Sequence, residues 1–359
     1  METFTCSTRI LSGRGSVAGL QDLEIRRLLL VSDPYFAANG EAQRIAALAN
    51  AQQTRFFDKV QPDPSVELVA EGAAICRDFQ PDTVVALGGG STLDCAKAMV
   101  YFSGLQADLI AIPTTSGSGS EVTDFAVLTH NGVKHPLVDP KLRPKIAILD
   151  SDLLSKMPKT LIADTGFDAI SHAMEAFVAT GASACTDALA KSAVITVCTH
   201  LPASFAGELS VRQQIHEASA MAGVAFSSAG LGLCHAMSHA IGGILHLPHG
   251  RLNAILLPAV IGLNAKKCQK KYAELARAVG FGGSADVIAL RNLCTGLCRL
   301  RAKLQMPESL LAAGADPVLL RQEKEKIVSA VLADPCCKTN PILVEDQMVR
   351  KILAEVSGG

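Results

Sequence analysis

A histidine-rich apolar segment is the part of this chain best suited to chemistry. Between Glu217 and Arg251 there is no Asp, Glu, Lys or Arg, yet the run GLGLCHAMSHAIGGILHLPHG contributes four histidines. These are His235, His239, His246 and His249. Buried polar groups without partners are costly. Because neutral imidazole is a common protein ligand of transition metals, the segment predicts a metal site.

A second segment, GFDAISHAMEAF, supplies a carboxylate. It places Asp168 and His172 four residues apart, on one face of a predicted helix. A solitary Asp-x-x-x-His is more often a surface pair or a local hydrogen bond. Together with the histidine-rich segment, it offers one carboxylate and several imidazoles. That set suits a divalent cation with a position left open for substrate.

The uncharged window is also long enough to cross a bilayer. However, glycines and Pro248 interrupt it, and it carries Ser227, Ser228 and Ser238 besides the histidines. A helix facing lipid would contain fewer polar groups. The segment is therefore predicted to be a buried helix beside a polar site, with no membrane partner.

Composition is typical of a folded enzyme. The 359 residues suffice for two domains, and 49% hydrophobic against 19% charged residues exclude disorder. A net charge of -1 without a basic cluster predicts no nucleic-acid partner. Eleven cysteines occur without a CxxC pair, and the first residues do not resemble a signal peptide. These features predict a reducing cytoplasmic setting, with Cys336 and Cys337 as free thiols.

The two halves of the chain differ in their pattern. Up to about residue 150, apolar runs alternate with helical spacing, which predicts a parallel sheet covered on both faces. The predicted strands are 26–33, 54–60, 82–90, 108–113 and 145–150, and the helices between them are 38–50, 65–79 and 91–102. Later segments are helical: 159–179, 182–200, 211–226, 231–246, 251–265, 283–304, 317–332 and 344–356. We predict an α/β domain over residues 1–155 and an all-α domain over 156–359.

Two loops in the first half indicate a phosphate-bearing ligand. In VVALGGGSTLDCAKA a strand passes through Gly89, Gly90 and Ser91 into a helix, whose start offers free N–H groups and a positive dipole end. The loop in IPTTSGSGSEVTDF also follows a strand end, where ligand crevices of open α/β sheets lie. A plain tight turn and a solvated Ser/Gly loop remain the alternatives. Asp33, after the first strong strand, is either a ribose-binding acid or a turn residue.

Four motifs occur in a recognisable order: GGGSTLDCAKA, PTTSGSGSEVT, GFDAISHAMEAF and GLGLCHAMSHAIGGILHLPHGRLNAILLP. Over nearly the whole chain they resemble the iron-dependent (type III) alcohol dehydrogenases. The phrases MAGVAFSSAGLGLCHAMSHA and HLPHG are similar to the branch that serves propanediol- and ethanolamine-utilisation microcompartments. The resemblance implies a dehydroquinate synthase-like fold, with an α/β dinucleotide-binding domain followed by an all-α metal-binding domain.

The resemblance also implies roles for individual residues. The metal ligands would be Asp168, His172, His235 and His249, with His246 as a competing ligand. His239 would lie near the nicotinamide and relay a proton with the ribose hydroxyl, or else be a core histidine. The implied cofactor-binding residues are Asp33, Gly89, Gly90, Ser91, Thr114, Thr115, Ser118, Ser120, Val122 and Lys134. Asp33 favours NAD over NADP.

The implied activity is NAD(H)-dependent interconversion of short-chain aldehydes and primary alcohols, either propanal with 1-propanol or acetaldehyde with ethanol. Fe(2+) is the implied metal, although the mixed N/O ligand set suits Zn(2+) equally. The resemblance further implies a homodimer or larger homo-oligomer, located in the cytoplasm or a microcompartment lumen, with possible shell or enzyme partners. Two alternatives remain open: a polyol or glycerol dehydrogenase of the same superfold, and a non-catalytic microcompartment component.

Overall fold

The computed structural model describes residues 4–130 and 133–358, and the chain forms two compact units. The first comprises Cys6–Met157, and the second runs from Pro158 to the end of the described residues and includes the short segment before Cys6. The sequence placed the boundary between residues 155 and 156. Residues 1–3, 131–132 and 359 of the two predicted domain ranges lie outside the described residues.

The first unit is an α/β structure. Its strands are β1 (Arg9–Ser12), β2 (Arg27–Ser32), β3 (Gln53–Phe57), β4 (Thr83–Gly88), β5 (Asp108–Pro113), β6 (Phe125–His130), β7 (Val133–Val138) and β8 (Ile146–Leu149). Its helices are α1 (Pro34–Ala38), α2 (Glu41–Ala49), α3 (Val66–Phe79) and α4 (Gly90–Ser103). Six strands form a parallel sheet in the order β1-β8-β5-β4-β2-β3, and β6 and β7 form an antiparallel pair.

The strand order fixes where a ligand can bind. From β2 the chain moves to β3 on one side, then returns past β2 to β4 and β5 on the other side. The order therefore reverses between β2 and β4, and ligands of open α/β sheets bind at this switch point, beyond the carboxyl ends of the strands. Since Ser32 pairs with Leu87 and Gly88 with Pro113, β2, β4 and β5 end at nearly the same level.

The sheet is buried on both faces, which explains the unbroken apolar runs of its strands. On one face, Leu29 and Val31 pack into a core with α3 and α4 residues such as Met99. On the other face, Leu28 and Leu30 join a core that includes residues of α2. Successive side chains of β2 thus pack alternately into two separate hydrophobic cores.

All five strands predicted from apolar runs are confirmed within a few residues. The sequence did not reveal β1 or the β6–β7 hairpin. Three of the four β1 residues are exposed, so this edge strand has no apolar run to mark it. The hairpin lies outside the main sheet and has a mixed burial pattern along β6.

Every secondary-structure element among the described residues of the second unit is a helix. Its helices are α5 (Lys159–Val178), α6 (Ala184–Ala206), α7 (Arg212–Ala229), α8 (Leu233–Leu245), α9 (His249–Ala278), α10 (Asp286–Lys303), α11 (Pro317–Gln322), α12 (Lys324–Ala333) and α13 (Asp346–Ser357). The predicted helix 317–332 is two helices, and predicted helix 251–265 is part of the much longer α9, which kinks at Cys268 (φ -112°, ψ 20°). The predicted fold class, an α/β unit followed by an all-α unit, is confirmed.

No single helix among the described residues combines the length and hydropathy needed to cross a bilayer. The helices α7 and α8 meet the length and hydropathy criteria only when they are taken together, and the chain bends by 103° between them.

The start of α9 lies against α5 at unusually close range. A Cβ atom on Gly250 would stand 1.9 Å from the carbonyl oxygen of Asp164, so only glycine permits this approach. The next residue, Arg251, donates two hydrogen bonds to the Asp164 carboxylate, at 3.0 and 3.3 Å. Together the glycine and the ion pair hold the first turn of α9, which begins at His249, on α5.

We expect Gly250→Ala to lower the free energy of unfolding by about 1–3 kcal/mol, because the added methyl group must push two backbones apart. Urea unfolding followed by far-ultraviolet circular dichroism measures this. Gly262→Ala in the middle of α9 is the matched control, since a Cβ there meets no atom within 4 Å; it should be neutral or slightly stabilising. Equal midpoints for the two variants would contradict the close-approach argument.

Candidate functional site

Three acidic or imidazole side chains line one face of α5. Asp168, His172 and Glu175 follow one another at spacings of four and three residues, so they lie on successive turns of the same face. All three are buried. Because buried carboxylates are rare unless paired or coordinated, this face of α5 requires partners from neighbouring helices.

Those partners come from the first turns of α8 and α9. The His249 Nε2 atom lies 3.5 Å from the Asp168 Oδ1 atom, and the His235 Nε2 atom lies 3.8 Å from the same oxygen. The ligand atoms of Asp168, His235 and His249 all lie within 4.8 Å of one another. The structure therefore brings together three of the four side chains predicted to hold the metal.

The fourth predicted ligand, His172, borders this group. Its Nδ1 atom lies 3.9 Å from the Asp168 Oδ1 atom. Its ring stacks on those of His235 and Phe226, each at a centroid distance of 4.4 Å. The competing candidate, His246, is exposed and ends α8 in a left-handed conformation (φ 54°), outside the group of mutually close ligand atoms.

Glu175, which we did not single out from the sequence, fixes the orientation of His235. Its carboxylate accepts a hydrogen bond from His235 Nδ1 at 2.6 Å, and others from the backbone N–H groups of Gly232, Cys234 and His235 at 3.0, 2.7 and 3.3 Å. Because Glu175 holds Nδ1, the His235 ring keeps its Nε2 atom on the side of Asp168. The available sequence signal was the seven-residue spacing from Asp168 to Glu175.

Asn253, also missed, lies between the same groups. Its amide nitrogen is 2.8 Å from the Asp168 Oδ1 atom and 3.3 Å from the Nε2 atom of each of His235 and His249. The Ser238 hydroxyl donates a hydrogen bond to the Asn253 side-chain oxygen at 2.5 Å, which sets the direction of the amide. A group with partial positive charge thus lies beside the point on which three ligand atoms converge.

The electrostatics favour positive charge at this point. Burial would raise the pKa of the Asp168 carboxyl, but the neighbouring imidazoles outweigh it and hold the pKa well below its usual value. Burial likewise opposes protonation of His235, yet Asp168 and Glu175 together raise its pKa to about 9. Burial lowers the pKa of His249, which keeps that imidazole neutral. One carboxylate and converging imidazoles in a field that stabilises a cation fit a divalent transition metal.

His239 lies beside this group with a partner of its own. Its ring stacks on that of His249 at a centroid distance of 5.2 Å, and its Nδ1 atom lies 2.9 Å from the Asp334 carboxylate. Although burial raises the pKa of Asp334, the hydrogen bond to His239 outweighs it, and the pKa is lowered. The Asp334 side chain comes from the turn after α12, 95 residues away, and no local signal in the sequence indicated it.

In the first unit, Asp33 follows β2 at the switch point of the sheet. Its Oδ1 atom accepts hydrogen bonds from the backbone N–H groups of Tyr35 and Phe36, at 2.9 and 3.1 Å, and so caps the short helix α1. Partial burial raises the pKa of its carboxyl despite these bonds. The turn role that the sequence left open is therefore present, and it does not exclude a second role for the carboxylate.

The glycine turn and the Ser/Thr loop meet at the ends of β4 and β5. The Thr114 N–H donates to the Gly88 carbonyl at 3.0 Å, and a Cβ on Gly90 would lie 2.9 Å from that of Ser118. A Cβ on Gly89 would contact the Thr115 side chain at 3.5 Å. The bare backbone at the start of α4 thus lies close to the Ser/Thr loop, at a glycine-rich helix start of the kind that binds phosphate.

Further contacts position the rest of this loop. The Ser120 hydroxyl donates to the Asp94 carboxylate at 2.6 Å, and the next turn buries Val122. The buried Lys97 ammonium donates to the Phe125 carbonyl at 2.9 Å.

Two other predicted residues lie at the edge of the glycine turn. The Ser91 hydroxyl accepts from the Asp63 N–H at 3.3 Å, and the ammonium of Lys134 on β7 lies 2.7 Å from the Asp63 carboxylate. All ten residues predicted to bind the cofactor lie in the first unit, and Gly89 and Gly90 of the glycine turn lie against Thr115 and Ser118 of the Ser/Thr loop.

Comparison with protein families gives matches to both units. The profile for the iron-containing alcohol dehydrogenases matches residues 7–151, and that for the C-terminal region of the Fe-containing alcohol dehydrogenase family matches residues 162–357.

Individual relatives agree. The 1-propanol dehydrogenase PduQ of Salmonella typhimurium is 38% identical over 369 residues, covering 99% of this chain and 100% of the relative. The NADPH-dependent butanol dehydrogenase of Clostridium saccharobutylicum is 35% identical over 381 residues, covering 98% of this chain and 97% of the relative.

Solved structures share the fold. An iron-containing alcohol dehydrogenase from Thermococcus thioreducens superposes with a TM-score of 0.92 at 33% identity, covering 99% of this chain and 100% of that one. The sulfoacetaldehyde reductase of Bifidobacterium kashiwanohense, solved with NAD+, gives a TM-score of 0.91 at 26% identity, covering 100% and 99% of the two chains. The resemblance inferred from the four motifs is confirmed: the chain belongs to the iron-containing alcohol dehydrogenase family.

Proposed function

We propose that this protein is a metal-dependent, NAD(H)-linked alcohol dehydrogenase that interconverts short-chain aldehydes and primary alcohols. One observation carries the proposal. The Asp168 carboxylate and the Nε2 atoms of His235 and His249 converge on one point, at which a buried field favours positive charge. In this assignment His172 completes the ligand set, and Fe(2+) is the resident ion.

The bound ion supplies Lewis acidity toward the oxygen of the substrate. The chain's own residues provide the rest of the chemistry. Glu175 keeps the proton of His235 on Nδ1, so that Nε2 remains available as a ligand. His239 exchanges the proton of the substrate hydroxyl with solvent, and Asp334 positions the imidazole by accepting from Nδ1.

The proposed cofactor is NAD(H), bound at the switch point of the sheet. The glycine turn at the start of α4 would hold the pyrophosphate, beside the Ser/Thr loop after β5. The Asp33 carboxylate would accept hydrogen bonds from the ribose hydroxyls and repel a 2′-phosphate, which favours NAD over NADP. The butanol dehydrogenase relative uses NADPH, so this preference must come from residues of this chain rather than from the family.

The proposed substrates are propanal and 1-propanol, or acetaldehyde and ethanol, with recycling of NADH to NAD. The similarity to the 1-propanol dehydrogenase PduQ supports the first pair. By the same analogy, the protein would act inside a bacterial microcompartment. It would form a homo-oligomer there and contact shell proteins or partner enzymes. One structural relative is a 1,3-propanediol oxidoreductase. Oxidation of diols is therefore the second candidate activity.

Removing one proposed ligand should remove the metal. We expect His249→Ala to purify without stoichiometric iron and without activity, while its NAD affinity stays within about twofold of wild type. Glu175→Gln should keep the fold but bind the metal about 10- to 100-fold more weakly, because His235 loses the anion that orients it. Metal analysis and NADH titration measure the two effects separately.

Glu274→Gln on α9 is the matched control for the second variant. Its carboxylate is exposed and pairs with Lys191, so the metal content should not change. Full metal retention in Glu175→Gln would show that the Glu175 carboxylate does not support the ligand set.

Asp33→Ser should relax cofactor choice without affecting the metal. Serine is also a good N-cap, so α1 should survive while the carboxylate is lost. We expect the ratio of kcat/KM for NAD(H) over NADP(H) to fall about tenfold or more, since a hydrogen bond to a charged group contributes about 1.5–3 kcal/mol. If Asp33→Ser left this ratio unchanged but contained less iron, the two sites would have been assigned to the wrong units.

A substrate panel tests the proposed function directly. With the iron-loaded protein and NADH, propanal and acetaldehyde should show kcat/KM values about tenfold or more above those for oxidation of glycerol and 1,2-propanediol with NAD, each corrected for the reaction equilibrium. Preference for the diols would favour the polyol dehydrogenase. A metal-loaded protein without turnover on any of the four would favour a non-catalytic role, and full turnover with Zn(2+) alone would overturn the iron assignment.

A further inference from the structure

A second group of metal-ligating side chains lies next to the proposed iron centre and is not used by it. It consists of His239, Asp334 and Cys336, whose ligand atoms all lie within 4.8 Å of one another. His239 comes from α8, and the other two from the turn after α12. The His239 Nδ1 atom is 2.9 Å from the Asp334 carboxylate, which also accepts the Cys336 N–H at 2.8 Å. One carboxylate thus holds the imidazole and the cysteine side by side.

We propose that these three side chains form a second divalent-cation site, selective for thiophilic ions such as Zn²⁺ and Cd²⁺, which is filled in addition to the proposed iron centre and inhibits the enzyme. A thiolate, an imidazole and a carboxylate are the ligand types that zinc prefers. Hard cations such as Mg²⁺ demand oxygen ligands and should not bind. The single carboxylate and the thiolate together balance the two charges of the ion.

Each of the two groups has one imidazole that reaches solvent. In the proposed iron centre, the His249 side chain is 30% exposed, whereas His235 is 1% exposed and Asp168 12%. In the second group, the His239 side chain is 30% exposed and Asp334 13%. An ion from solution can therefore reach His239 directly. Three protein ligands also leave one tetrahedral position for water.

Binding at this site changes the state of His239. The Cys336 thiol releases its proton to solvent as the sulfur–metal bond forms, and no electrons are transferred. The His239 Nδ1 atom, which donates to Asp334, must give up that hydrogen bond and offer its lone pair, so the proton of the neutral ring moves to Nε2. The ring can then no longer accept a proton at Nε2. The inhibition rests on the proton-relay role proposed for His239, whereas the binding itself does not.

The decisive experiment counts both metals on one protein. Enzyme loaded with Fe(II) under anaerobic conditions is dialysed to equilibrium against Cd²⁺, and iron and cadmium are quantified per chain. The test variant is Cys336→Ser. The matched control is Cys337→Ser, because the neighbouring thiol contacts the Val331 carbonyl, at 3.0 Å, and is not part of the group. Far-ultraviolet circular dichroism and retained iron verify folding.

We expect wild type and Cys337→Ser to gain one cadmium per chain while retaining iron, with loss of aldehyde reduction as cadmium binds. Cys336→Ser should bind that cadmium about 10- to 100-fold more weakly and resist inhibition to the same degree. If Cys336→Ser fails to fold, Asp334→Asn gives the second measurement, since the amide keeps an acceptor but loses the charge.

Three results would overturn the proposal: cadmium affinity unchanged in Cys336→Ser, cadmium binding lost in Cys337→Ser, or release of one iron for each cadmium gained. Equal uptake of Mg²⁺ would also contradict the selectivity. If cadmium bound without inhibiting the enzyme, the cation site would stand and the proton-relay role of His239 would be wrong. The experiment therefore distinguishes failure of the one proposal from failure of the other.

Discussion

The Glu175 carboxylate is the interaction on which the helical unit's functional group depends. It joins the last turn of α5 to the first turn of α8, because it accepts hydrogen bonds from three backbone N–H groups there as well as from the Nδ1 atom of His235. The first N–H groups of a helix have no partner within the helix, so a carboxylate at this position satisfies them and meets the positive end of the helix dipole. One buried anion therefore sets the position of α8, the tautomer of His235 and the direction of its Nε2 atom.

The start of α9 is fixed by a steric constraint rather than by charge. At Gly250 the backbone approaches the Asp164 carbonyl so closely that any Cβ atom would collide with it. Because His249 precedes this glycine and Asp164 lies one turn before Asp168, the close approach carries the His249 imidazole to the Asp168 carboxylate. The PHG sequence is thus a packing requirement as much as a source of a ligand.

The sequence revealed the parts of the structure whose signals are local. Apolar runs marked the central strands, and the spacing of Asp168 and His172 placed both on one helix face. The edge strand β1 and the β6–β7 hairpin carry weak periodicity, and their identity depends on pairing with distant residues. The same limit explains the missed partners. Asn253 lies within an apolar helix pattern, and Asp334 meets His239 across 95 residues, so neither contact has a signature near it in the chain.

Charge balance around α5 favours a divalent ion over a proton at the point where the ligand atoms converge. Asp164 is neutralised by Arg251, whereas Asp168 and Glu175 contact imidazoles, an amide and backbone N–H groups. A single proton on His235 offsets only one of these two buried negative charges. Since burial keeps His249 neutral, a dication held by neutral imidazoles would offset both. Uncompensated charge is costly in a medium of low polarity, so the same two carboxylates that order the helices also create the demand for the metal.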